Sequence, residues 1–386
     1  MKIDIFLHKA KQEFLKITPE IEEYWSGPQI QSTKVPNWID SRYNLLIKNL
    51  KEFDTNKKIA FIIYDNLFEL LIEDLETNTG ILKYYDKIIC YCDEAWWSAE
   101  DNTFFNEKLK NLELYNNKFV FIFNFLYDGI KLEKFEYHYN IGGFKTILNS
   151  LLNIWGYDKF LLPSQNKENI KYNMIAKLGR PKYARLYFLK NIENYKCNDF
   201  VYAINSVHGN TETYINQLTD ADTETYINIG YNENDLVPTK EFESEKLNLN
   251  GPLVPNEDFE SLAEIIFETR LHHLYFKLFT EKTLKGFLMK RPFLLGAHFG
   301  SLQCLSELGF KTFDFIFDES YDLIEDEKER TNFIIEEFKK FNDRSIEENY
   351  EIIKKHEHIY EYNFNHLIYL LNKKDKEFYN IIKKEL

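Results

Sequence analysis

The sequence lacks the patterns that mark several protein classes. None of the four cysteines forms a CxxC pair, so we expect reduced core cysteines rather than a zinc ribbon or redox site. No apolar run reaches the ~18 residues of a membrane-spanning helix. The start, MKIDIFLHKAKQEF, carries charge throughout and lacks the apolar core of a signal peptide. We therefore expect no membrane span and a cytoplasmic location, which is the host cytoplasm if the chain is viral.

Basic residues are outnumbered by acidic ones. The chain has 48 Lys and Arg residues against 62 Asp and Glu residues, a net charge of −14. A field of that sign repels a polyanion, which excludes general coating of nucleic acid. The length of 386 residues, 44% of them apolar and 28% charged, is typical of a folded protein with two or three domains.

Apolar runs with polar ends predict buried parallel strands over residues 57–65, 86–92 and 118–125. A helix-like segment from Phe68 to Leu75 lies between the first two, and this alternation predicts an open α/β sheet. Ligands bind such sheets at the carboxyl ends of the strands. Asp93 and Glu94 follow the second strand and are the candidates for the catalytic base, although an acidic pair there is also typical of a helix cap.

The second half of the chain predicts another α/β unit. Pro163 and its polar neighbours place a domain boundary near residue 165, so the domains are 1–165, 166–330 and a helical tail over 331–386. The elements predicted within the second domain are a strand over 198–206, a helix over 258–278, and strands over 292–295 and 313–317.

Residues 279–322 carry the strongest chemical signal. The start of a predicted helix there holds two cations, two hydroxyls and one carboxylate: Thr280, Glu281, Lys282, Thr283 and Lys285. The unpaired N–H groups and positive dipole of a helix start attract phosphate. Gly296 and Gly300 follow the next strand and permit a close backbone approach. The pattern fits an anion site, and it fits an ordinary helix start equally well, because Thr280 precedes an acidic residue and an apolar run.

The same block, with TEKTLKG, KRPFLLG and FDFIFDESYD, resembles the donor-side segment of sugar-nucleotide glycosyltransferases of the GT-B type. It is similar to fucosyltransferase-like and exostosin-like enzymes and to uncharacterised proteins of large phages and viruses. The resemblance implies an α/β fold with two Rossmann-like domains that face each other across a cleft, the C-terminal one holding the nucleotide sugar.

The resemblance also implies roles for individual residues. Glu281 and Lys282 correspond to a Glu-Lys pair that binds the ribose and phosphates of the donor. Arg180 and Arg185, in KLGRPKYAR, correspond to a basic segment that faces the diphosphate, and Glu268, in IIFETR, corresponds to a donor contact. Fixed cations, Lys285 included, stabilise a leaving nucleoside diphosphate without a metal ion.

The expected function is therefore transfer of a sugar, with inversion, from a UDP- or GDP-linked donor to a glycan or small hydroxylated acceptor. Two alternatives stay open: transfer to a hydroxymethylated pyrimidine of DNA, and a non-catalytic binding protein with a degenerate transferase fold. Asp220-Ala221-Asp222 spells the metal-binding DxD of another glycosyltransferase class, but its position in a polar repeat favours a solvated loop.

Overall fold

The fold is α/β, as predicted. The computed structural model describes residues 3–9, 13–16, 46–53, 55–64, 68–77, 79–92, 106–123, 132–139, 167–179, 183–192, 195, 200–204, 259–268 and 279–385. The chain divides into two compact units, the first comprising Met1–Ile154 with Tyr369–Leu386 and the second comprising Trp155–Ile368. Among the described helices, none is both long and apolar enough to cross a membrane.

The first unit contains a six-stranded sheet of order β2-β1-β3-β4-β5-β6. Its strands are β1 (Asp4–Lys9), β2 (Glu13–Lys16), β3 (Ile59–Tyr64), β4 (Lys87–Cys92), β5 (Phe119–Phe123) and β6 (Glu136–Tyr139). Among the described strand pairs of this sheet, only β1 and β2 run antiparallel. The helices between strands are α1 (Phe68–Thr77), α2 (Thr79–Tyr84) and a 3₁₀ helix (Leu109–Lys118).

The three strands predicted in this half are confirmed as β3, β4 and β5, and the predicted helix is confirmed as α1. Every residue of β5 is buried, as is every residue of β4 after Lys87. A strand that is covered on both faces has a continuous apolar sequence, and this is why β3, β4 and β5 could be predicted.

The second unit contains a four-stranded parallel sheet of order β10-β9-β7-β8. Its strands are β7 (Tyr172–Gly179), β8 (Phe200–Ile204), β9 (Ser261–Phe267) and β10 (Phe293–Gly296). The helices that connect them or follow them are α3 (Tyr183–Ile192), α4 (Glu281–Leu288) and α5 (Ser301–Glu307), with 3₁₀ turns at Lys167–Asn169 and Glu319–Leu323. The predicted strands over 198–206 and 292–295 are confirmed as β8 and β10.

Three helices complete the described chain: α6 (Glu327–Asn342), α7 (Ile346–Lys355) and α8 (Glu357–Glu385). In α6, Phe338 meets Phe188 of α3 edge to face with ring centroids 5.1 Å apart. The start of α7 is fixed by a capping box between Ser345 and Glu348. Residues 331–368 belong to the second unit, and residues 369–386 belong to the first.

Two elements predicted in the second domain are wrong. Residues 261–267 form strand β9 and not the first part of a helix over 258–278. Residues 269–278 of that predicted helix lie outside the described residues. All seven residues of β9 are buried, and such an apolar run fits a helix and a doubly covered strand equally well.

Residues 313–317, predicted as a strand, form turns. Phe313 packs edge to face on Phe293, and Phe317 packs on Phe341. At edge strand β10, the backbone N–H of Leu295 donates to the Tyr321 hydroxyl over 3.3 Å. Side chains from residues 313–317 and from the following 3₁₀ turn therefore pack against β10 without adding another strand.

Candidate functional site

The candidate site lies at the carboxyl edge of the second sheet. Strands β7, β9 and β10 run parallel, so their carboxyl ends share one edge. Glu268 follows β9 directly, and its backbone N–H donates to the carbonyl of Gly296, the last residue of β10, over 2.8 Å. Helix α4 begins at this same edge and leads back to the start of β10.

The carboxylate of Glu268 holds the start of α4. Its Oε1 accepts from the backbone N–H of Thr280 at 3.0 Å and from the hydroxyl of Thr283 at 2.5 Å. Its Oε2 accepts from the hydroxyl of Thr280 at 2.5 Å. Glu268 and Thr283 are both 0% exposed. A buried carboxylate at a helix N-terminus satisfies orphan donors and opposes the positive end of the dipole.

The first turn of α4 carries the predicted Glu-Lys pair. Thr280 is the N-cap, and its hydroxyl oxygen accepts from the backbone N–H of Lys282 at 3.3 Å. The Lys282 ammonium lies 3.3 Å from that same oxygen and its side chain is half-buried. Glu281 is the first residue of the helix. This turn therefore presents one ammonium group at the carboxyl edge of the sheet.

Helix α4 lies very close to β9 and β10, and Gly286 permits this. A Cβ atom at Gly286 would be 2.7 Å from Cδ1 of Phe293 and 2.9 Å from Cδ1 of Ile266. A larger residue would collide with these two side chains, so either they or the helix would have to shift.

Arg185, near the start of α3, also points to the end of β9. Its Nη2 donates to the carbonyl oxygen of Phe267 at 2.7 Å and to that of Glu268 at 3.2 Å, and the residue is 3% exposed. The guanidinium therefore fixes the backbone at the strand end. Its predicted contact with a diphosphate stays a prediction.

Lys285 lies one turn further along α4 and faces the sheet. Its ammonium is 3.6 Å from Oε1 of Glu264, and Arg291 donates to Oε2 of the same carboxylate at 2.7 Å. All three side chains are buried. This buried triad attaches the last turn of α4, and the segment that joins it to β10, to the middle of β9.

The glycine turn after β10 is closed by Asp322. Gly300 has φ +70°, the left-handed conformation that favours glycine. The Asp322 carboxylate accepts from the backbone N–H groups of Leu302 and Gln303, each at 3.0 Å, and its carbonyl accepts from Gly300 at 2.8 Å. The starts of α4 and α5 are thus each held by a carboxylate of the chain, Glu268 and Asp322 respectively. Helix α4 differs in carrying Lys282 in its first turn.

The structure brings together five of the predicted site residues: Arg185, Glu268, Thr280, Lys282 and Thr283. Lys285 is directed to Glu264 instead. Asp93, Glu94 and Arg180 lie outside the described residues, as does the Asp220-Ala221-Asp222 triplet, and the same holds for the side chain of Glu281.

Sequence reasoning missed Glu264, Arg291 and Asp322. A signal for Glu264 was present, because a single carboxylate inside the apolar run SLAEIIF requires a buried partner. Within the described ranges, no group of three or more His, Cys, Asp or Glu side chains is arranged to hold a metal ion.

In comparisons with known proteins, the chain matches no protein-family model and no curated protein. The assignment of function therefore depends on the residues and contacts of this chain alone.

A half-buried carboxyl in the turn after β10 makes stability depend on pH. Glu319 lies in the 3₁₀ turn that also supplies Asp322, and it accepts from the backbone N–H of Phe313 at 2.7 Å. Burial, with the nearby charges of Asp314 and Asp322, raises its pKa from 4.5 to about 7. Because the folded pKa is above the unfolded one, the stabilising contribution is complete below pH 4.5 and is lost as pH rises through about 7.

We expect Glu319→Gln to remove this dependence. Between about pH 5 and about pH 8 the wild-type free energy of unfolding should lose roughly 2 to 3 kcal/mol that the variant retains, measured by urea denaturation. Glu307→Gln removes one charge from an exposed position on α5 and is the matched control. Equal pH dependence in Glu319→Gln and wild type would contradict the assignment.

Proposed function

We propose that this chain is a glycosyltransferase of the GT-B type, with two Rossmann-like domains facing each other across a cleft and a nucleotide sugar bound by the second. One observation carries the proposal. The block that resembles a donor segment begins α4 at the carboxyl edge of a parallel sheet, where a buried carboxylate holds that helix start and Lys282 lies in its first turn.

The proposed chemistry requires a positive field for the leaving nucleoside diphosphate. Lys282 supplies an ammonium at the edge, and Arg180, after β7 in the sequence, is proposed to supply a guanidinium. Glu281 is proposed to accept from the ribose hydroxyls. The positive charges of Lys282 and Arg180 stabilise the negative charge that develops on the phosphates in the transition state. The proposed reaction therefore uses no metal ion.

The acceptor side is proposed to come from the first domain. Asp93 or Glu94, directly after β4, accepts the proton of the acceptor hydroxyl. The acceptor oxygen forms a bond to the anomeric carbon while the bond from that carbon to the β-phosphate oxygen breaks. The nucleoside diphosphate leaves with the electron pair, and the anomeric configuration inverts. A glycan or a small hydroxylated molecule is the proposed acceptor of this acidic protein.

Substitution of Lys282 tests the proposal. We expect Lys282→Ala to weaken binding of UDP or GDP by roughly tenfold or more, because a charge-assisted hydrogen bond to phosphate is lost. Isothermal titration calorimetry measures the dissociation constants. Lys311→Ala is the control, since Lys311 is an exposed lysine of the same unit whose ammonium lies over the ring of Tyr362.

Two outcomes count against the proposal. Equal nucleotide affinity in Lys282→Ala and Lys311→Ala would remove α4 from the donor site. Tight nucleotide-sugar binding without release of nucleoside diphosphate, with glycan and small-molecule acceptors supplied, would favour a binding protein over an enzyme.

A further inference from the structure

The contacts of Glu268 differ from those of a residue that touches a ligand. The residue is 0% exposed, and both carboxylate oxygens accept hydrogen bonds from Thr280 or Thr283. A donor molecule could reach this carboxylate only by displacing the start of α4. We infer that Glu268 is a positioning residue, which holds the first turn of α4 in the geometry that the nucleotide requires.

The backbone of Glu268 is fixed as firmly as its side chain. Its N–H donates to the carbonyl of Gly296, and its own carbonyl accepts from Arg185 at 3.2 Å. The backbone of Glu268 is therefore bonded to β10 and to α3, while its carboxylate is bonded to the start of α4. A displacement of α4 would have to break hydrogen bonds to a rigid strand end, so the first turn of the helix keeps one position.

The charge of Glu268 adds to this effect. A carboxylate at the N-terminus of α4 opposes the positive end of the helix dipole. Thr280 connects Glu268 to Lys282, because its hydroxyl donates to the Glu268 carboxylate and accepts from the backbone N–H of Lys282. The position of the Lys282 backbone thus depends on Glu268 through one side chain. This inference rests on the proposed function, because it assigns Glu268 to the donor site through Lys282.

Thr283 offers a clean test, because its hydroxyl donates to Glu268 from a fully buried position. Thr283→Val keeps the shape of the side chain and removes this hydrogen bond. Thr331→Val is the matched control: Thr331 is also 0% exposed, and its hydroxyl donates to the carbonyl of Glu327 within α6 at 2.8 Å. Thr283→Ser restores the hydroxyl and serves as the rescue variant.

Two measurements are made on each full-length variant. Hydrogen exchange in the absence of ligand reports the opening of residues 280–284, and calorimetry with UDP and GDP reports affinity. We expect the melting temperature to fall further in Thr283→Val than in Thr331→Val, because a hydrogen bond to a buried carboxylate contributes more than one to a backbone carbonyl. Only Thr283→Val should accelerate exchange in residues 280–284 and weaken nucleotide binding, by about tenfold or more, since misplaced binding groups lose affinity steeply. Thr283→Ser keeps the hydroxyl and should bind nucleotide like the wild type.

The outcomes separate this inference from the proposed function. If wild type binds UDP or GDP and Thr283→Val binds equally well, the positioning role is wrong and the donor site stands. If wild type binds neither nucleotide, both are wrong. Should Thr283→Val fail to fold, Glu268→Gln repeats the test. Failure of both to fold while Thr331→Val folds would also overturn the inference, because the contact would then serve folding alone.

Discussion

Replacing Glu264 with glutamine is expected to lower the free energy of unfolding by about 3 to 5 kcal/mol, since it breaks a buried ion pair from one side. Glu264 is 4% exposed, and its carboxylate lies 2.7 Å from Arg291 and 3.6 Å from Lys285. The side chain of Arg291 is 0% exposed. Without the carboxylate, two cations remain close together in the interior, where neither can be hydrated.

Glu260→Gln is the matched control for this prediction. Glu260 lies four positions earlier in the chain and pairs with Lys171 at 2.7 Å, but the lysine side chain is 61% exposed. A surface pair of this kind contributes less than about 1 kcal/mol. Urea denaturation followed by circular dichroism measures both variants. Equal stability of Glu264→Gln and Glu260→Gln would show that the buried triad does not anchor α4.

Replacing Phe378 with alanine is expected to cost the first unit about 3 to 5 kcal/mol, because a fully buried ring is removed and a cavity is left. Phe378 and Ile382 of α8 are both 0% exposed and pack in the core with residues from the first sheet. The ring of Phe378 meets that of Tyr91 in β4 edge to face, with centroids 5.6 Å apart. The last part of α8 is therefore a core element of the first unit.

Tyr369→Ala is the control on the same helix, because Tyr369 is 60% exposed and its loss should cost less than about 0.5 kcal/mol. Hydrogen exchange in the peptides of β3, β4 and β5 reports the stability of the first unit directly. We expect faster exchange in these strands for Phe378→Ala only. Unchanged exchange in that variant would show that α8 does not contribute to the first core.

Local sequence patterns predicted much of the fold. Strands β3, β4 and β5 are continuous apolar runs bounded by polar residues, and short runs of this kind are typical of buried parallel strands. The start of α4 was predicted at Thr280 because the signals of a helix start are local. The apolar pattern predicted the wrong element at β9, where every residue is buried. It also predicted a strand at residues 313–317, where aromatic side chains fill the core from turns.

The partners of the site residues could not be predicted, because each contact joins distant segments. Glu268 meets Thr283 across 15 positions, and Lys285 meets a carboxylate of β9. The resemblance implies a ligand contact for Glu268, and the cations clustered at the helix start suggest one for Lys285. Neither pattern identifies the distant residues that these two side chains meet. Glu268 and Lys285 are both buried, so we assign them to holding α4 in place. Lys282 is the cation that the structure describes in the first turn of α4.

A crystal structure of the protein soaked with UDP- and GDP-linked sugars tests the central claim most directly. We expect density for the nucleotide against residues 280–282, at the carboxyl edge of β9 and β10, with Glu268 still bonded to Thr283. Nucleotide density elsewhere on the chain, with the first turn of α4 untouched, would contradict the claim.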